Sequence, residues 1–220
     1  MNVELKARLA ILQSFVTIIM GLGVGNLIEQ FIIQNHLNQG TLLINISAGK
    51  TLSITAVLLL LVRFYHGNMY SLNEILSFAT DSRKEHHISM VTDWVLLVGQ
   101  GVLFASLGFF VNSEFNMHCL VGLIFFIDVL WLAVCTISPR SKMSSLSQIR
   151  WWAAINLLSL IMIVVILSIS WEGMVSTRSA GFLFSAVLIV SSVLDYYINR
   201  SFYFPRDVPE ILQADAAKST

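Results

Sequence analysis

The sequence predicts an all-α, polytopic integral membrane protein, and three observations predict it. Charged residues make up only 12% of the 220, where an average soluble domain has roughly a quarter. Hydrophobic residues make up 56%, and they gather into six segments at about 9–33, 42–66, 89–111, 117–138, 151–171 and 180–202, each near the roughly 20 residues needed to cross a bilayer core. No segment alternates with the period of a strand, and irregular backbone cannot face lipid, so the segments are expected to be helices.

Six spans leave room for short loops only. Residues 1–204 therefore read as a single transmembrane domain and 205–220 as a short cytoplasmic tail. Lysine plus arginine and aspartate plus glutamate are each 13, so net charge says nothing about nucleic-acid or acidic partners, and only the distribution of charge informs. With the amino terminus inside, Lys6, Arg8, Arg83, Lys84, Arg140, Lys142, Arg150, Arg200, Arg206 and Lys218 face the cytoplasm, while Lys50 and Arg178 lie outside. This asymmetry predicts both termini in the cytoplasm and a multi-pass place in the cell (inner) membrane.

The first span contains Gly21-Leu-Gly23-Val-Gly25-Asn26. Gly21 and Gly25 form a small-xxx-small pair that lets another helix approach. Alternatively, the glycines and Asn26 loosen the helix and offer carbonyls to a pore. The second span, Thr51 to Asn68, ends in Arg63-Phe-Tyr-His66-Gly67-Asn68. Gly67 suits a C′ stop, and Ser71-Leu-Asn-Glu74 matches a capping box, so a separate short cytoplasmic helix is expected over 72–79. Arg63 is then either snorkelling at the helix end or paired.

The run Asp81-Ser-Arg83-Lys84-Glu-His86-His87 is the most polar in the chain. The third span opens on Asp93-Trp94 and carries Gly101 and Ala105, a second small-xxx-small pair. The fourth has Asp128 near its middle, where an ionised carboxylate costs roughly 2.5–3.5 kcal/mol on insertion scales; it must be paired, hydrated or protonated. Cys119 and Cys135 lie 16 residues apart on this helix, about 24 Å, too far to bridge. Pro139 ends the span, and Ser145 with Gln148 forms a capping box before Trp151-Trp152. The fifth span is nearly all aliphatic, with Asn156 and Ser159 its main polar side chains, and suits lipid contact. The sixth leads through Ser185, Ser191 and Ser192 to Asp195 and Arg200.

On this topology Arg63, His66, Asp93 and Asp195 share a depth and Asp128 lies about two turns deeper, which suggests a polar network or hydrated vestibule. End-charge placement gives another account of Arg63 and His66 in a last helical turn and Asp93 in a first one. The chain has no H-E-x-x-H, CxxC, GxSxG or P-loop, and Asp93 and Asp128 differ in depth by about 10 Å. No enzyme, cofactor or metal site is therefore expected.

The Arg63-Phe-Tyr-His-Gly-Asn68 turn, the basic inner loops and a compact chain of several spans without an enzymatic head resemble the membrane effectors of bacterial antiviral operons. The resemblance implies an oligomeric pore gated by a nucleotide-type ligand or a partner protein. Arg83, Lys84, His86, His87, Arg140 and Lys142 are the groups available to meet such a cytoplasmic anion. The expected function is accordingly a homo-oligomeric channel or pore-forming effector. The alternatives are a non-conducting membrane adaptor for a cytoplasmic partner and a small oligomeric transporter.

Overall fold

A computed structural model describes residues 3–37, 48–78, 86–111, 113–137 and 146–204. Among these residues every regular element is helical: α1 Val3–Leu37, α2 Ala48–Phe78, α3 His86–Ser106, α4 Glu114–Ile137, α5 Leu146–Trp171, α6 Thr177–Ile198 and the single turn α7 Arg200–Tyr203. Five of them are long and apolar enough to cross a membrane. Helix α3 runs into a 3-10 turn at Leu107–Phe110, and its described side chains are apolar over most of Val95–Phe110.

Side-chain contacts fix the directions. Ile19 meets Gly101, Gly23 meets Phe104, and Asn26 meets Ala105, so α1 and α3 run parallel. Ser53 meets Ser185 and Arg63 meets Asp195, so α2 and α6 also run parallel. Asp128 meets Asn156 and Trp131 packs edge-on against Trp152, so α4 and α5 are antiparallel. Between these pairs lies one apolar core, with Leu27, Val57, Leu60, Phe64, Phe104, Val121, Phe125, Phe184 and Leu188 all buried. Phe64 stands edge-on to both Phe104 and Phe125 at centroid distances of 5.5 and 5.6 Å, the arrangement aromatic quadrupoles favour.

The turn between α5 and α6 is closed by backbone chemistry. Gly173 adopts φ +70°, its N–H donates to Ser170 and the next N–H, of Met174, to Ile169, the pattern of a Schellman cap. Ser176 then caps α6 by accepting from the Ser179 N–H. Near the start of α5 and at its last residue, Trp151 and Trp171 are both exposed and twenty residues apart, about 30 Å, the thickness of a bilayer hydrocarbon core.

Two expectations about helix ends and glycines are corrected. Helix α2 does not stop at Gly67, and no separate helix begins at Ser71; one helix runs from Ala48 to Phe78. Gly67 serves packing instead, because a Cβ there would lie 2.5 Å from the Trp152 ring. Helix α1 is unbroken through Gly21–Gly25, so those glycines do not loosen it. Nor do Gly21 and Gly25 make the intrachain contact, since nothing approaches either position within 4 Å. Gly23, between them, meets the Phe104 backbone, where a Cβ would lie at 3.1 Å. Gly101 does pack closely, against Ile19.

Candidate functional site: a buried charged network

Helix α2 presents Arg63 to the bundle interior, and the side chain is fully buried. An arginine cannot shed its charge, so burial without partners is prohibitive and the partners define the site. Its Nε donates to Asp195 Oδ2 at 2.7 Å, with both side chains at 0% exposure. One of its terminal nitrogens, Nη2, donates to Asn156 Oδ1 on α5. The Asn156 amide then turns its Nδ2 to Asp128 Oδ2 on α4. A single amide thus links the guanidinium to a second carboxylate.

Both carboxylates receive further donors. Gln100 Nε2 of α3 reaches Asp128 Oδ1 at 3.1 Å, and Asn68 Nδ2 reaches Gln100 Oε1 at 3.3 Å. Asn199 Nδ2 donates to Asp195 Oδ1 at 2.6 Å and the Tyr203 hydroxyl to Asp195 Oδ2 at 2.6 Å. Burial first, and then the Asp195 charge, push the Tyr203 hydroxyl up from its ordinary value of 10, so it stays a donor at any physiological pH. The network therefore ties together α2, α3, α4, α5, α6 and α7. Arg63 Nη1, Asn68 Oδ1 and Asn199 Oδ1 are buried in it without a hydrogen-bond partner. The Arg63 guanidinium also lies 5.6 Å from the Phe64 ring centroid and 6.0 Å from that of Phe125, within cation–π range.

Charge counting gives the site its character. One permanent cation faces two carboxylates, and the amides of Asn156, Gln100 and Asn199 each donate to an acid. Two ionised carboxylates would leave the buried cluster at −1; one added proton would make it neutral. Counted from Trp151 along α5, Asn156 lies five residues further on, about 8 Å along the apolar stretch Ile149–Trp171.

Beside the network, His66 sits among aromatic rings. Tyr203, Phe204 and Tyr196 lie at 5.5, 5.9 and 6.1 Å from it, centroid to centroid, and His66 Nδ1 is 3.4 Å from the Tyr196 hydroxyl. On the other side of α2, the Tyr65 hydroxyl meets Thr17 of α1 at 3.2 Å.

Of the residues expected in a polar network, Arg63, Asp128 and Asp195 come together at one level, and Asp128 is not two turns deeper. Arg63 is paired rather than snorkelling, because α2 continues fifteen residues past it. For the same reason neither Arg63 nor His66 occupies a last turn. Asp93 is not in a first turn, since α3 begins at His86. Asn26 and Ala105 meet through a 2.9 Å hydrogen bond to the Ala105 carbonyl. Arg83, Lys84, Arg140, Lys142 and Ser145 fall outside the described residues, as do the side chains of His86, His87 and Asp93. The sequence reading missed Asn156, Gln100, Asn68, Asn199 and Tyr203 as members of the site, and it assigned α5 to lipid. A lone asparagine in an otherwise aliphatic span was the one available signal. Among the described residues no three His, Cys, Asp or Glu side chains gather as a metal site. The chain matches no family model, no curated protein and no solved structure.

Proposed function

We propose that this is a six-span membrane protein with both termini in the cytoplasm, acting as a homo-oligomeric channel or pore-forming effector whose closed state is held by the Arg63–Asp195–Asn156–Asp128 network. The observation that carries the reading is that network: two carboxylates and one guanidinium wholly buried at membrane depth, linked across nearly every helix. Ionisable groups at that depth are costly and belong by default to a functional site. The parallel course of α1 with α3 and of α2 with α6 supports alternating passes that include α3. The open Gly21 and Gly25 positions on α1 support close approach of a second copy. Asp128 lies inside the chain's own bundle, so in this reading it acts on the conformation of the helices rather than as one member of a ring lining a pore between copies.

Gating from the cytoplasmic side, by a nucleotide-type anion or a partner protein at the basic loops, belongs to the same proposal, as does a role in antiviral defence. Purified protein in liposomes is expected to pass ions on stimulation, with Asp128→Asn changing the threshold. If no ions pass with any cytoplasmic ligand tried, and Asp128→Asn leaves every cellular phenotype intact, the reading is lost.

The network's enclosure within a single chain favours one rival, a non-conducting adaptor in which the charges only fix the bundle. That rival expects Asp128→Asn to lower stability alone, and Arg83 and Lys84 to govern capture of a cytoplasmic partner.

A further inference from the structure

A second polar layer lies at the opposite end of the same three helices. Ten residues before Arg63, Asp128 and Asp195 stand Ser53 on α2, His118 on α4 and Ser185 on α6, about 15 Å away along each helix. Helices α2, α4 and α6 run in one direction, so the three form one level. Between the two layers, Val57, Leu60, Val121, Phe125 and Leu188 are buried and apolar, while Ser191 and Ser192 are buried on α6 within the last turn before Asp195.

The outer layer is built and incompletely satisfied. Ser53 and Ser185 hydroxyls meet at 3.0 Å, and Ser185 donates to the Gly181 carbonyl at 2.7 Å. Glu114 stands one turn before His118 on the same face of α4. Its Oε2 lies 3.3 Å from where a Gly181 Cβ would be, and Ser53 Oγ lies 3.9 Å from that point, so the missing side chain makes the space the carboxylate enters. The His118 ring stacks on Phe184 at 3.8 Å between centroids and is 3% exposed. Both Glu114 Oε2 and His118 Nε2 are buried without a hydrogen-bond partner. Two polar groups orphaned one turn apart on one helix face, the carboxylate near the Ser53 hydroxyl, are expensive to leave unfilled.

We propose that Glu114 and His118, supported by Ser53, form a binding site for a divalent cation of the zinc class. The donor set selects the class: an imidazole nitrogen with a carboxylate oxygen suits borderline ions such as zinc or cobalt, whereas calcium and magnesium prefer all-oxygen cages. Two strong donors, where structural and catalytic zinc sites have three or four, place the affinity below theirs; Ser53 Oγ and water complete the shell. The site stands whether or not the chain conducts ions, because it rests on a different layer of the bundle.

The test is titration of chelator-treated, detergent-purified protein with cobalt(II), read by visible absorption, and with zinc, read by the shift in melting temperature that ligand binding to the folded state produces. Wild type is expected to show a saturable site that His118→Ala and Glu114→Gln each remove. Gly181→Ala, which crowds the carboxylate, and Ser53→Ala are expected to weaken it by about tenfold, the size of a supporting contact. Cys119→Ser is expected to leave it intact, since Cys119 is exposed. The proposal is overturned if wild type shows no saturable binding, if Glu114→Gln and Gly181→Ala both bind as wild type does, or if Cys119→Ser abolishes the signal.

Discussion

Arg63 gives up all of its hydration and regains contacts from Asp195, from Asn156 and from two aromatic faces. Such a pair adds little net stability, yet halving it is severe, because the surviving charge stays buried. Arg63→Leu is expected to destabilise the bundle by about 3–5 kcal/mol, measured by denaturant unfolding in detergent. Replacing Arg63 and Asp195 together by leucine is expected to cost less than Arg63→Leu alone. The acids and the arginine were legible in the sequence, since a charge within an apolar run declares itself. Their pairing was not. It depends on the register of α2 against α6, and on amides such as Asn156 and Gln100 whose direction is set only once both neighbours are in place.

At the level of elements, the all-helical class was legible, whereas the ends of α2 and α3 were misread, the first of them through a glycine. A glycine followed by a capping-box pattern looks the same whether it ends a helix or admits a neighbour's ring. At Gly67 the ring is Trp152, which comes from α5 and is invisible to local sequence. Gly67→Ala is expected to destabilise by about 1–3 kcal/mol through overpacking, whereas Gly21→Ala, with nothing within 4 Å in the chain, is expected to be neutral or to stabilise by up to about 1 kcal/mol through helix propensity. Thermal unfolding of the two variants side by side distinguishes a packed glycine from an open one. If Gly21→Ala instead disrupts assembly, that face belongs to a contact between copies.

For the whole molecule, the parity of crossings decides where the ends lie. Six passes place both termini on one side; five would place them on opposite sides. Protease protection of tags at both termini in oriented vesicles is expected to show both cut together from the cytoplasmic face. Unlike the all-helical class, side-chain pairing across the bundle required the fold, because it joins residues such as Arg63 and Asp195 that lie 132 positions apart. The unbroken course of α2 has a mechanical result. Its 31 residues form a rod of about 46 Å, longer than the roughly 30 Å of hydrocarbon, with Ser53 and Arg63 fixed to one shaft. A push or twist applied at the Phe78 end is delivered to both polar layers at once, as a lever moves every point along its arm.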